Sequence, residues 1–441
     1  MSKRRMFIPS SRISLGSSLG AALGALVLAL AVLVAPARGA DDEAAKKAKV
    51  AELIVKLGDA DVKIRVQAAK SLGDLGPDAK EAVPALVKAL EDPDAPVRER
   101  AAETLGRMGR AGKEAVPALI KALETPDARM REFFAYALGR IGQEAKEIVP
   151  ALIKALGDPD ANVRQGAAIA LGAIGPAAKE AVPALINALG DPEGRVRIRA
   201  AHALGAIGPE TKDVVPALIK ALGDPDAGVR GNAAIALAWI GHRAKEAVPV
   251  LIKALGDPAA DVRRHAAFAL GRIGPEAKEA IPALIKILGD PERLVRGAAA
   301  EALGEIGPEA KEAIPALINA LGDPEGRVRG DAAIALGRIG PEAKEAVPAL
   351  IKTLGDPAAD VRVRAAGALF LISREAKEVL PVLINALGDP AVSVRGYAAI
   401  ALGQIGPPAG EAIPDLERLA QKDPVKFVRQ SAHDALEKIR K

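Results

Sequence analysis

The chain has 441 residues, of which 50% are hydrophobic, 2% aromatic and none cysteine. The absence of cysteine excludes disulfide scaffolds, zinc–thiolate sites, thiol catalysis and iron–sulfur clusters, and 27% charged residues beside that apolar content exclude wholesale disorder. The formal net charge of +5 lies wholly in residues 1–40, where Lys3, Arg4, Arg5, Arg12 and Arg38 stand without an acid, so residues 41–441 carry 56 groups of each sign.

Residues 1–40 read as an export signal. The basic start is followed by an uncharged stretch from Ile13 to Ala37, most apolar over Leu19–Ala35, and then by the small residues Gly39 and Ala40. Cleavage fits anywhere from after Ala37 to after Ala40. The alternative is an uncleaved membrane anchor, since about 20 apolar residues span a bilayer. Lys3-Arg4-Arg5-Met6-Phe7-Ile8 resembles the twin-arginine export motif, and a plain basic start has the same look. Either way, the body of the protein, residues 41–441, is expected outside the cytoplasm, periplasmic or secreted.

That body repeats every 33 residues. Prolines recur at this spacing from Pro84 and Pro117 through Pro183 to Pro414. An acid recurs from Asp59 to Asp423 with Thr125 as the exception, and an arginine recurs without exception from Arg65 to Arg429, with a last step of 34. The arginines count twelve units. No long non-repeat segment is left to house a separate catalytic domain.

Each unit is predicted to hold two helices. In the first, Val182, Leu185, Ile186 and Leu189 keep helical spacing. Pro183 lacks an amide hydrogen and clashes with the preceding turn, so it should kink this helix or start its second part. Gly190 suits a left-handed position after the helix end, and Asp191-Pro192 makes the turn. The second helix should cover Val196–Ile207, with Val196, Ala200, Leu204 and Ile207 inward and Gly208-Pro209 ending it. Gly205, in its last turn, costs about 1 kcal/mol of helix propensity relative to alanine. Nine of twelve units accept that cost, which points to a close approach by the neighbouring helix.

Proline, aspartate eight residues later and arginine six after that, within a two-helix unit, resemble the HEAT repeat. The Gly-Asp-Pro and Ala-Leu-Gly-x-Ile-Gly signatures are most similar to the short bacterial HEAT-like repeats named for phycobilisome lyases. The resemblance covers residues 44–441 and implies an all-α fold, a right-handed α-solenoid superhelix with first helices convex and second helices concave. It also implies an Asp–Arg ladder between neighbouring units. Stacking agrees with the physics, because one helix pair cannot bury its apolar stripe alone. At 8–10 Å per layer, twelve layers extend roughly 100 Å. Polar residues 41–49 and Glu437-Lys438-Ile439-Arg440-Lys441 read as end caps.

Comparison between copies locates the candidate function. The first helix hardly varies. The second varies one, two, five and nine residues after its arginine, positions that share or border one helical face. The candidate binding stripe there comprises Phe133, Tyr136, Arg140, Arg199, His202, Trp239, His265, Phe268, Arg272, Arg338 and Tyr397. Aromatic and arginine side chains are the types enriched at binding hot spots. The competing view is that the fifth position points inward, making Ile169, Ile235, Ile334 and Ile400 core. The tenth unit departs from the pattern, with Gly367, Phe370 and Ser373-Arg374 replacing the usual residues, and altered packing is expected there.

No catalytic motif is found. Of His202, His242, His265 and His433, none is followed by glutamate, and His202 and His265 lie two layers, roughly 20 Å, apart. No metal or cofactor is expected. The leading expectation is a non-enzymatic exported scaffold, a monomer that binds a protein or peptide along the concave face. It touches a membrane only if the leader remains. The alternative is a factor related to bilin lyases, acting on a tetrapyrrole and its carrier protein. Nucleic acid is not expected, because phosphate binding needs a concentrated basic surface.

Overall fold

The repeat is realised as paired helices whose start, turn and end each follow from particular residues. The computed structural model describes residues 43–142, 146–208, 212–373 and 376–441. The leader over 1–40, with Pro209 and Arg374, lies outside the described residues. The chain divides into two compact units, up to Leu119 and Ile120–Lys441.

In the first unit a helix over 43–56 precedes Val62–Leu75, which packs beside Ala95–Arg107. Arg65 pairs with both Asp92 and Asp94, and buried Thr104 donates to the Ala69 carbonyl at 2.8 Å.

In the larger unit, residues 175–207 illustrate one period. A 3₁₀ turn, Gly175–Ala181, bends at Ala178, and an α-helix, Val182–Ala188, follows. Pro183 sits in that helix's first turn, where its missing donor and fixed φ do no harm, so the proline starts the helix. The second helix runs Gly194–Ile207, and Val196, Ala200, Leu204 and Ile207 are all buried. The expectation for Gly190 is corrected. Leu189 stays right-handed (φ −66°), and the Gly190 and Asp191 amides bond back to Asn187 and Ala188, so the first helix unwinds without reversing. The left-handed residue is the glycine ending the second helix, such as Gly208 at φ 91°, where the chain turns back into the next layer. The stretch Ala161–Ala188 is long and apolar enough to cross a membrane (mean hydropathy 1.4), but Gly175, at φ 68°, divides it into helices of successive repeats.

Two contacts join neighbouring layers. The first is the ladder. Arg197 donates from Nε and Nη2 to the Asp224 carboxylate at 2.8 and 2.9 Å, and from Nη1 to the Asp191 and Pro192 carbonyls at 2.9 and 3.1 Å. Asp224 also accepts the Asp226 amide at 2.8 Å, so one carboxylate shapes its turn and receives the neighbour's arginine. Burial opposes its ionisation, but the Arg197 guanidinium and the Asp226 amide outweigh burial and hold the carboxyl below its usual range. Ion pairs of this kind recur from Arg131–Asp158 through Arg329–Asp356, and again at Arg395–Asp423.

The second contact is a glycine against an alanine. A Cβ built on Gly205 would lie 2.7 Å from the Ala236 Cα, and one on Gly304 would lie 2.8 Å from the Ala335 Cα. Ordinary carbon contacts lie at about 3.5–4.0 Å, so only glycine permits this spacing without a shift. Ala238, fully buried, stands at this position in the sixth repeat.

Candidate binding face

In the second helices, positions two, five and nine after the ladder arginine face outward, whereas position one is largely covered by the next layer. None of the eleven candidate residues is buried. Tyr136, Trp239 and Tyr397 are 42%, 49% and 60% exposed, and Arg140, Arg199, Arg272 and Arg338 are also exposed. Phe133, His202, His265 and Phe268 are half-buried, whereas Phe134, beside Phe133, is core. Ile169, Ile235, Ile334 and Ile400 are half-buried rather than core.

Side chains on this face lean onto the preceding layer. Trp239 stacks edge-on against His202, with ring centroids 4.7 Å apart, over the space left by Gly205. His265 fills the space over Gly231. Arg140 reaches the Tyr136 hydroxyl at 3.5 Å, and its guanidinium lies 5.9 Å from that ring's centroid. Tyr397 meets Phe427 edge-on at 6.5 Å. Burial pushes His202 and His265 below the usual histidine range, with Arg199 adding to the effect at His202 and Arg264 at His265, so both are neutral at pH 7.

The charges sort into two classes. Arg338 is neutralised by Glu305 at 2.6 Å, one layer away, and Arg364 by Asp331 at 2.7 Å. Residue types alone do not single out these two carboxylates; the signal for them is opposite charges at the same repeat position, 33 residues apart, a spacing that Glu305 has to both Arg272 and Arg338. Among the described residues, Arg140, Arg199 and Arg272 pair with no carboxylate. Positions two, five and nine of repeats three to seven contain no acid, whereas the eighth repeat has Glu301 and Glu305 there.

The tenth repeat breaks both interlayer contacts. Phe370 occupies the position where a glycine in other repeats touches the next helix. Arg362 keeps its bonds to the Asp356 and Pro357 carbonyls, yet no Arg362–Asp389 pair forms among the described residues. The second helices Ala359–Ser373 and Val392–Ile405 stand apart, and a cavity of about 590 Å³ opens between them. Its lining includes Ile334, Val363, Leu371, Tyr397, Ile400 and Gln404. Arg338 and Tyr397 thus belong to this groove, apart from the run in repeats three to seven.

Among the described residues no three His, Asp or Glu side chains converge as a metal site.

The HEAT-repeat family model matches residues 50–132, 149–214, 182–262, 248–337, 281–369 and 347–437, and the phycobilisome-lyase HEAT-like repeat model matches 130–158. No curated protein matches the chain. Among solved structures, importin beta is similar at 15% identity and a TM-score of 0.55, covering 88% of this chain and 61% of its own. Kap95p in complex with RanGDP is similar at 16% identity and a TM-score of 0.54, covering 89% of this chain and 61% of its own. This chain therefore spans about 61% of the length of those two relatives, and the likeness is one of fold. Family matches running from residue 50 to residue 437, on a stack of helix pairs joined by an Asp–Arg ladder, make this α-solenoid a member of the HEAT-repeat family.

Proposed function

We propose that the protein is a non-enzymatic, exported scaffold that binds a protein or peptide partner along the outward face of its second helices. The observation that carries this reading is the set of accessible aromatic and arginine side chains in repeats three, five, six and seven, with Ile169 between them in the fourth, on helices whose other faces are core. The solenoids similar to it include Kap95p bound to RanGDP and Kap95 in complex with Nup1, which supports the use of such a fold as a protein-binding surface. The export part of the reading rests on the leader sequence.

Trp239 is the only tryptophan and sits within the face, so its fluorescence reports on occupancy. Extracytoplasmic partners captured by affinity and crosslinking should perturb it, and Tyr136→Ala with Phe268→Ala should weaken their binding. Partners that bind without changing Trp239 emission, at affinities indifferent to both substitutions, would refute the reading. The alternative of tetrapyrrole handling is supported by the match over one repeat, residues 130–158. A bilin mixed with the protein should then shift in absorbance.

A further inference from the structure

We infer that the partner segment on repeats three to seven is acidic and extended, with apolar side chains between carboxylates spaced about six residues apart. This rests on the scaffold reading above and names the chemistry of its ligand. Fifteen residues occupy positions two, five and nine of these five repeats, and they include three arginines and no acid. The acids of these repeats lie in the turns, on the first helices and at the starts of second helices, apart from Glu132. Glu132 is half-buried and stands at position one, off the three outward positions.

What distinguishes Arg140, Arg199 and Arg272 is that their charges are unspent. The ladder arginines of repeats three to nine are each held by an aspartate, Arg338 is held by Glu305 and Arg364 by Asp331. The three belong to repeats three, five and seven, so each is two layers from the next. Two layers of 8–10 Å, with the seven-residue offset of Arg199 along its helix adding about 10 Å at right angles, give a separation of about 21 Å. An extended chain covers it in about six residues, at 3.3–3.6 Å each. Between the arginines lie Tyr136, Ile169, Ile235, Trp239 and Phe268, which offer apolar area to intervening side chains. A nucleic acid fits less well. Duplex DNA carries a charge about every 1.7 Å, whereas this face offers three cations along about 40 Å.

The test uses the full-length protein and 14-residue peptides bearing glutamate at positions one, seven and thirteen, with leucine, phenylalanine and serine between. A matched peptide set carries glutamine in place of glutamate, and a single-stranded DNA oligonucleotide serves as the polyanion control. Binding is read by Trp239 fluorescence and by anisotropy of a peptide label at two salt concentrations. The acidic peptides should bind at least tenfold tighter than the glutamine set. Each of Arg140→Gln, Arg199→Gln and Arg272→Gln should weaken them about three- to fivefold, less so at high salt. The triple Lys220→Gln/Lys253→Gln/Lys286→Gln variant removes the same charge from exposed first helices and should bind as the wild type does. Circular dichroism of every variant should match the parent.

Equal binding of acidic and glutamine peptides would overturn the inference while leaving the scaffold reading intact, provided Trp239 responds to both. Equal weakening by the lysine triple, tighter binding of the oligonucleotide, or no binding by any acidic peptide would also overturn it. The scaffold reading fails separately, if native partners bind without perturbing Trp239.

Discussion

Replacing Asp224 by alanine removes one rung between the fifth and sixth repeats and leaves the Arg197 guanidinium without its paired carboxylate, with Asp226 and Asp191 acting only at longer range. Arg197 loses two charge-assisted bonds, at 2.8 and 2.9 Å, and keeps its two backbone carbonyls. The two side chains are only 13% and 11% exposed, so water replaces little of the lost interaction. At about 1.5 kcal/mol for each charge-assisted bond, the loss is about 3 kcal/mol, the lower end for breaking a buried pair. In a stacked array this weakens one nearest-neighbour interface and need not unfold the whole chain. Trp239 packs across that same interface on His202, so urea unfolding followed by its fluorescence should shift, as should hydrogen exchange in Gly194–Ile207 and Ala227–Ile240. The double change Arg197→Met/Asp224→Leu should be milder than Asp224→Ala alone, because it leaves no uncompensated buried charge. Stability within about 0.5 kcal/mol of wild type for Asp224→Ala, or a double variant worse than the sum of its singles, would refute the ladder as the interlayer tie.

Acid should lower the stability of the protein in two stages. His202 and His265 titrate below their usual range, so the stability of their neutral forms is complete above about pH 6.5 and declines as pH falls toward their native values. The ladder carboxyls are also lowered, so their contribution is complete above about pH 4 and is lost only as pH falls through those lower values. Melting temperature against pH should show both steps, and His202→Gln with His265→Gln should remove the first. Gly304→Val should cost about 2 kcal/mol by overpacking against Ala335, measured by urea denaturation. Gly367→Ala should gain up to about 1 kcal/mol in the same assay, because its Cβ meets no atom within 4 Å. Burial raises the Asp331 carboxyl and Arg364 lowers it, so Arg364→Leu should raise it further, as read by carboxyl NMR titration.

Much of the architecture is legible in the order of the amino acids, for a physical reason. Pro183, Asp191 and Arg197 act on backbone groups within a few residues of themselves, so their roles can be read locally. The 33-residue period then places each arginine beside the next aspartate by repetition alone. The outward stripe is legible too, because helical periodicity assigns positions two, five and nine to one side. Gly190 is ambiguous at that level because a glycine after a helix has two uses, reversal or unwinding. Only the bonds to Asn187 and Ala188 decide between them, and they decide for unwinding.

Sequence alone thus determined the repeat, its helix pairs, its ladder and the face that varies, since all of these follow from short-range geometry multiplied twelve times. Only tertiary structure decided which arginines on that face remain unpaired. Arg338 and Arg272 look alike in the sequence, but a guanidinium reaches a carboxylate one layer away only when helix spacing and rotamer allow, as at Arg338 and Glu305. The opening at the tenth repeat was likewise decided in space. Phe370 in place of the repeated glycine marks altered packing in the sequence, but that the change parts two second helices around a cavity of about 590 Å³ follows only from their positions in space.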